Sequence, residues 1–354
     1  MTRTRPRLSS PRRIAVIGAG IAGLAAARTL QRSGHDVQVF EAAPVPGGRV
    51  ATQDSPFGGF DSGAQYFTVR DARFAKALEA TAADIVRRWS ANAVRVLDEH
   101  GRVVEAAPPR RDAHWVAIPA MHRLPQRWAE PLQAASALHL GTRVTHIARD
   151  ALVPARWQLH TQGLEGDQRV HAGFDRVILA VPASQARSLL SISELPSLAD
   201  ALAAVDMAPC WTLMLAYPNA SQPGLQTLGP QWNAARSTHH RVAWLARESS
   251  KPGREPVERW TVQASPPWSR EHENDDAGRV IGKLTKAFAE ITGIRATPAL
   301  AEAVLWREAQ TLKPLGQPWL WNASLGVGLC GDWCIGHRVE DAFVSGLELA
   351  LAIA

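Results

Sequence analysis

The run Ile14-Ala-Val-Ile17 passes at once into three spaced glycines, Gly18, Gly20 and Gly23, and these lead into the alanine-rich stretch Leu24 to Leu30. Strand, glycine turn and helix in that order constrain the chain more than any other feature. Gly18 permits the tight turn, Gly20 lets backbone approach a pyrophosphate, and Gly23 lets the helix pack closely on the strand. Phosphates would sit on the N–H groups of Ile21 and Ala22, at the positive end of the helix dipole. A glycine triplet alone is weak evidence. Here a second strand, Asp36-Val-Gln-Val-Phe40, follows and ends in Glu41 and Ala42, where an acidic side chain can accept hydrogen bonds from adenosine ribose hydroxyls. An ordinary βαβ unit with incidental glycines would have to match all four positions by coincidence.

The next segment separates the possible dinucleotides. Pro46-Gly47-Gly48-Arg49 follows Glu41 closely and resembles the glycine-glycine-arginine extension of the amine oxidase superfamily of flavoproteins. The resemblance implies non-covalently bound FAD, with the backbone at Gly48 and the arginine of Arg49 on its diphosphate and flavin side. An NAD dehydrogenase has no need of this extension.

A chain of 354 residues, 46% hydrophobic, is longer than a single core usually supports, so two domains are expected. The formal charge of +6 would suggest an acidic partner, but Arg3, Arg5, Arg7, Arg12 and Arg13 carry most of it in a tail without acidic residues. The tail reads as a disordered arm over residues 1–12, and no nucleic-acid partner is expected. Cys210, Cys330 and Cys334 have neither zinc nor disulfide spacing, which suits a reducing cytoplasm. Arg12-Arg13 before an apolar run looks like a twin-arginine export signal, but cleavage there would destroy the glycine fingerprint. No stretch approaches the roughly 20 apolar residues of a membrane span.

Further elements return to the first domain. The helix Leu124 to Leu138 precedes a strand Gly141 to Ile147, and Val144 matches the position whose backbone faces adenine in related flavoproteins. Phe174 to Val181 reads as a buried strand stopped by Pro182. The expected fold is α/β: a discontinuous Rossmann-like FAD-binding domain with a second, α+β substrate domain built on an antiparallel sheet. The boundaries are 13–72, 140–190 and 322–354 for the first, and 73–139 and 191–321 for the second. Alternating runs at Cys210 to Ala216, Val242 to Leu245 and Glu258 to Gln263 supply that sheet, and Val280 to Ile291 an amphipathic helix. Ser249 to Pro256 and Ser265 to Asp276 read as surface loops.

Two motifs narrow the family. Phe60-Asp61-Ser-Gly63-Ala64-Gln65-Tyr66-Phe67 and the C-terminal run from Gly331-Asp332 through Gly336-His-Arg338-Val339-Glu340-Asp-Ala342 to Ser345-Gly346 both resemble renalase and its bacterial relatives, as do the weaker Trp244 to Gly253 and Leu305-Trp306-Arg307. The resemblance implies that Gly63, Ala64, Gln65, Gly331, Asp332, Arg338, Val339 and Ala342 contact the flavin. Independently, Asp332 at the end of the apolar strand Leu325 to Cys330 can accept ribityl hydrogen bonds. The helix that opens near Arg338 would aim its positive end at the flavin edge that becomes anionic on reduction. Asp341 departs from the relatives, where a glycine is expected, and places a carboxylate where that negative charge develops.

Renalase-type enzymes, by resemblance, oxidise dihydronicotinamide isomers carrying hydride at the 2- or 6-position and pass the electrons to O2. An aromatic cation is the product, so the reaction needs a flat slot and no general base, in keeping with the lack of an evident acid/base constellation. Gln65 and Tyr66, with Trp306, are the candidate slot residues, each with a structural alternative at the domain core. The first rival is a flavin amine oxidase, whose relatives place a lysine near the flavin. Of Lys76, Lys251, Lys283, Lys286 and Lys313, none falls in a recognisable motif. The second rival is a flavoprotein redox sensor without turnover. His239-His240 reads as part of a solvated loop. The expected partners are a small-molecule substrate and O2, with no metal.

Overall fold

The computed structural model describes residues 10–89, 94–105, 112–221, 230 and 232–354. Packing divides the chain into two compact units. One comprises Met1–Gly48, Pro125–Val205 and Lys313–Ala354, the other Arg49–Leu124 and Asp206–Leu312. These limits differ from the expected ones: residues 49–72 group with the second unit, and 125–139, 191–205 and 313–321 with the first. The arginine-rich tail lies outside the described residues up to position 9.

The first unit is built on a six-stranded sheet in the order Leu320–Asn322, Val327–Leu329, Arg176–Leu179, Arg13–Ile17, Asp36–Phe40, Leu138–His139. All neighbours are parallel except the first pair. Ile14 to Val16 are fully buried in its centre, as an unbroken apolar strand with partners on both edges requires. Helix Ile21–Arg32 follows the glycine turn, and helix Val339–Ile353 packs against it so closely that a Cβ at Gly346 would lie 2.1 Å from the Ala22 carbonyl oxygen. A three-stranded antiparallel sheet, Thr142–Arg149, Trp157–Gly163 and Gln168–Phe174, completes the unit. The helix expected to reach Leu138 is Arg123–Ala134. The chain turns at Ser136 (φ 54°), and Leu138–His139 becomes the edge strand, with the Ala137 and His139 carbonyls accepting from Val39 and Glu41 N–H. Without this edge strand the Val39 and Glu41 N–H groups would lack those acceptors.

The second unit carries a seven-stranded sheet in the order Leu300–Lys313, Asp206–Tyr217, Glu258–Ala264, Val242–Arg247, Ala234–Ser237, Val94–Leu97, Val103–Glu105. It is largely antiparallel, as the alternation implies, but Val94–Leu97 joins Ala234–Ser237 in parallel. One face carries Trp211, Leu213, Leu215, Leu245, Trp260 and Val262, in one apolar cluster with helix Ala277–Thr292. That helix buries Val280, Leu284, Ala287, Phe288 and Ile291, is capped by Asp276 accepting the Arg279 N–H (3.1 Å), and stops at Gly293 with φ 77°. On the opposite face Met214 and Ala216 pack with Phe60, from the segment that follows Arg49.

Three loop expectations need correction. Within Ser265 to Asp276, Pro266–Glu271 is a helix that buries Trp268 and Ser269. His239 is 6% exposed, because the turn folds its ring inward: Nδ1 accepts the Arg241 N–H (3.2 Å) and Nε2 lies 3.4 Å from Glu290. Within Ser249 to Pro256, the side chains of Lys251 and Arg254 are 0% and 1% exposed, drawn in by buried carboxylates. Among the described residues no helix is long and apolar enough to cross a membrane.

Candidate functional site

In the first unit the glycine turn has the form its spacing implies. Gly18 has φ +102° and donates to the Phe40 carbonyl (2.8 Å); a Cβ there would meet the Ala180 oxygen at 2.6 Å. At Gly23 a Cβ would lie 2.0 Å from the Gly18 oxygen, so helix and strand approach at a distance only glycine allows. Gly20 is different: nothing lies within 4 Å of its Cβ position. The space above it is flanked by the second glycine pair, since Gly47 N–H donates to Ala19 (2.9 Å) and the Gly48 Cβ position is 3.6 Å from Gly20 Cα. Helix Ile21–Arg32 begins beside that space with no side-chain cap and no acid in its first turn. An uncompensated helix start next to an open glycine backbone suits a diphosphate.

Glu41 is fixed against this turn by two backbone donors, Ala19 N–H (2.7 Å) and Ala43 N–H (2.9 Å). Its own carbonyl accepts from Thr142 (2.7 Å), which starts the strand carrying half-buried Val144. A surface cleft of about 290 Å³, lined by Ala42, Gly141, Arg143, Gln162 and Gly163 among others, adjoins this end.

The C-terminal motif lies in the same unit. Gly331 N–H donates to the Ser345 hydroxyl (2.9 Å), which donates to Pro318 (2.6 Å), and a Cβ on Gly331 would lie 2.3 Å from the Trp333 indole nitrogen. Asp332 is 4% exposed. Arg338 stands at the N-cap of helix Val339–Ile353, so Val339 and Ala342 fall in its first turn. Asp341 bends back onto that helix start, accepting N–H bonds from His337 (3.0 Å) and Arg338 (3.0 Å). Its charge is thereby engaged by the chain's own backbone. Burial pushes the Cys334 thiol up to about 12 and raises Cys330 as well, so neither is a thiolate.

The second unit holds the other predicted residues. Gly63 passes so near Arg49 that a Cβ would lie 2.0 Å from its carbonyl oxygen, which also accepts the Ala64 N–H (3.0 Å). Gln65, 4% exposed, turns inward: its amide nitrogen donates to the Asp61 and Gly63 carbonyls, and its oxygen accepts from Lys251 (3.2 Å). Trp306 donates its indole N–H to the Ser62 carbonyl (2.9 Å). Tyr66 is half-buried and stacks on His114, with centroids 3.8 Å apart at 23°; Trp244 lies 5.4 Å from it.

Beneath this segment is a buried ionic cluster. Asp61 takes Lys251 (2.9 Å), Arg254 (2.7 Å), the Thr52 hydroxyl (2.7 Å) and the Met121 N–H (3.0 Å). Burial alone would raise its carboxyl, but the Lys251 and Arg254 charges outweigh burial and hold it well below the usual range. Glu248 accepts from Lys251 (3.0 Å) and Thr261 (2.7 Å) through one oxygen, while the other has no partner among the described residues. Burial holds Glu248 above the usual carboxylate range. Sequence reasoning quoted Asp61 without a role and missed Glu248, Lys251 and Arg254. The available signal was two charges, Glu248 and Lys251, inside the stretch Trp244 to Gly253, with Arg254 just past its end.

Residues 16–81 match the NAD(P)-binding Rossmann-like domain, and residues 117–354, well over half of the chain, match flavin containing amine oxidoreductases. The chain belongs to the flavin containing amine oxidoreductase family. Its fold is α/β. Curated relatives match over short segments. The L-amino-acid oxidase of Daboia russelii is 50% identical over 46 residues, 13% of this chain and 9% of that protein. The hydroxyneurosporene desaturase of Cereibacter sphaeroides is 42% identical over 59 residues, 17% and 12% of the two chains. The matched part thus spans about a tenth of those relatives' length. Among solved structures, a protein described as a protoporphyrinogen oxidase from Exiguobacterium sp. 255-15 has a TM-score of 0.74 at 15% identity, covering 98% of this chain and 99% of its own. Wild-type putrescine oxidase bound to putrescine has a TM-score of 0.67 at 12% identity, covering 97% and 99%. At such identities the likeness shows the family's fold.

Proposed function

We propose that this chain is a renalase-like oxidase that binds FAD non-covalently and oxidises 2- or 6-dihydro-NAD(P) to NAD(P)+. Gly18, Gly20, Ile21, Ala22, Gly23 and Gly48 would hold the diphosphate, Glu41 and Ala42 the adenosine ribose, and Val144 the adenine. On the resemblance, Arg49, Gly63 and Ala64, with Gly331, Asp332, Arg338, Val339 and Ala342, would hold the ribityl chain and flavin ring. Bound FAD supplies a two-electron acceptor, so that dihydro-NAD(P), O2 and one proton yield NAD(P)+ and H2O2.

The observation that carries this reading is the commitment of Lys251. It is fully buried and bonded to Asp61, Glu248 and Gln65, which leaves the Gln65-Tyr66 segment presenting an aromatic ring instead of a base. Hydride loss from a dihydropyridine leaves an aromatic cation and needs orientation alone, whereas oxidation of an amine requires the substrate to shed its ammonium proton. The chain's residues would therefore exclude water and stack the substrate ring.

Family membership favours a second reading, oxidation of an amine or amino acid. Anaerobic mixing of the holoprotein with the dihydro-NAD(P) isomers, ordinary NADH, putrescine and L-amino acids separates the two. Rapid bleaching of the flavin by a 2- or 6-dihydro isomer is expected; bleaching by amines alone would overturn the proposal. Acid precipitation should release FAD into the supernatant.

A further inference from the structure

On the sheet face opposite helix Ala277–Thr292, cross-strand partners set a row. Thr212 stands opposite Gln263, Gln263 opposite Trp244, and Trp244 opposite Arg236. Directly paired residues project to the same side of a sheet. Gln263 donates to the Gly63 carbonyl (2.8 Å), so the row runs beneath the Gly63–Tyr66 segment, and its outer end emerges at Tyr66. There Arg236 is exposed, and its guanidinium reaches the Tyr66 hydroxyl at 3.4 Å, with no carboxylate partner among the described residues. Next to it, Trp244 is 7% exposed, and its buried indole N–H also has no partner among the described residues. His114 closes the far side of the Tyr66 ring.

We infer that Arg236, Tyr66 and Trp244 form a recognition subsite for a nicotinamide nucleotide, with Arg236 engaging a phosphate and Trp244 offering its N–H to the carboxamide oxygen. The assignment deepens the dihydronicotinamide reading and rests on it. Three features match three groups of such a ligand: an aromatic surface for a flat ring, an unsatisfied donor for a neutral acceptor, and an unpaired planar cation for an anion. The same features disfavour an amine, which would bring its positive charge up to a guanidinium with no carboxylate to receive it.

The test is ligand discrimination. Binding of nicotinamide mononucleotide, NAD+ and the phosphate-free 1-methylnicotinamide to the holoprotein is measured by perturbation of flavin absorbance, in wild type, Arg236→Gln, Arg236→Lys and Trp244→Phe. Loss of one charge-assisted contact should weaken the nucleotides about ten-fold or more relative to 1-methylnicotinamide in Arg236→Gln, with partial recovery in Arg236→Lys. Trp244→Phe should weaken all three ligands. Arg270→Gln, which alters an exposed pair with Asp206, controls for net charge and should leave the ratio at its wild-type value. An unchanged ratio in Arg236→Gln would overturn the subsite, even if dihydronicotinamides bleach the flavin. If none bleaches it while Arg236→Gln still loses nucleotide affinity, the reaction assignment falls and the subsite stands.

Discussion

The two units hold their candidate residues by different means. In the first, nearly every relevant contact is made by backbone: glycines that touch carbonyls, a helix start without a cap, and a Glu41 carboxylate held by two N–H groups. In the second, a loop is held by side chains from distant parts of the sequence, with Lys251 reaching Asp61 across 190 positions. A backbone cradle tolerates almost no added volume where its glycines touch carbonyls, and it holds Glu41 by N–H groups without a cationic side chain. The ionic cluster is the reverse, tolerant of shape and intolerant of losing a partner.

The largest effect should therefore come from Lys251→Met. Removing the cation leaves Asp61 and Glu248 buried with too little compensation, and breaking a buried pair in this way costs about 3–5 kcal/mol. Denaturant unfolding of the holoprotein should show that loss. pH supplies the sign. Asp61 is depressed in the folded state, so its contribution is full at neutral pH and lost as pH falls through its folded value. Without Lys251 the depression is weaker, and acid unfolding should begin at higher pH. Glu248 is raised, so its favourable contribution is full below the ordinary glutamate range and lost as pH rises through the folded value. Wild type should accordingly lose stability relative to Glu248→Gln as pH increases. A cluster indifferent to both substitutions would mean that the second unit is held like the first.

Gly23→Ala should follow, at about 1–3 kcal/mol for overpacking, since the new methyl would lie 2.0 Å from the Gly18 oxygen and neither backbone can yield alone. Flavin content of the purified protein should fall with it. If Gly23→Ala is neutral, the close approach of helix and strand is not what fixes the turn.

The same contrast explains what could be read from the chain. Gly18, Gly20, Gly23 and Glu41 lie within one βαβ unit, where spacing converts directly into geometry, so turn and sheet were legible together. The alternation at Asp206–Tyr217 and Glu258–Ala264 likewise gave the second sheet. The parallel pairing of Val94–Leu97 with Ala234–Ser237 was not legible, because it joins strands far apart in the chain. Lys251 looked like a loop residue because its neighbours are Ser, Pro and Gly; only the arrival of Asp61 makes burial favourable. Asp341 looked like an added charge in a flavin contact, and the fold uses it as a helix cap.

That cap gives a smaller prediction. Asp341→Ala frees the His337 and Arg338 N–H groups, and loss of such a cap costs about 1 kcal/mol. Thermal unfolding should register it. Because the helix start then carries less negative charge, the flavin midpoint potential should rise if that helix addresses the flavin, and stay fixed if it does not.

The smallest change in stability is expected from Gly20→Ala, and it separates fold from binding most cleanly. Its φ of −75° is ordinary for alanine, and nothing in the protein lies within 4 Å of the added methyl. Alanine is a poorer N-cap than glycine, but it also restricts the unfolded chain, and the two effects of about 0.5–1 kcal/mol oppose each other. Unfolding of the apoprotein should be unchanged within about 0.5 kcal/mol. A diphosphate over Gly20 would meet the methyl directly, so reconstitution with FAD should weaken by ten-fold or more even though the fold is intact. Gly23→Ala should lose stability and cofactor together; Gly20→Ala should lose cofactor alone. If Gly20→Ala takes up FAD as wild type does, the open space above the glycine turn is not where the diphosphate binds.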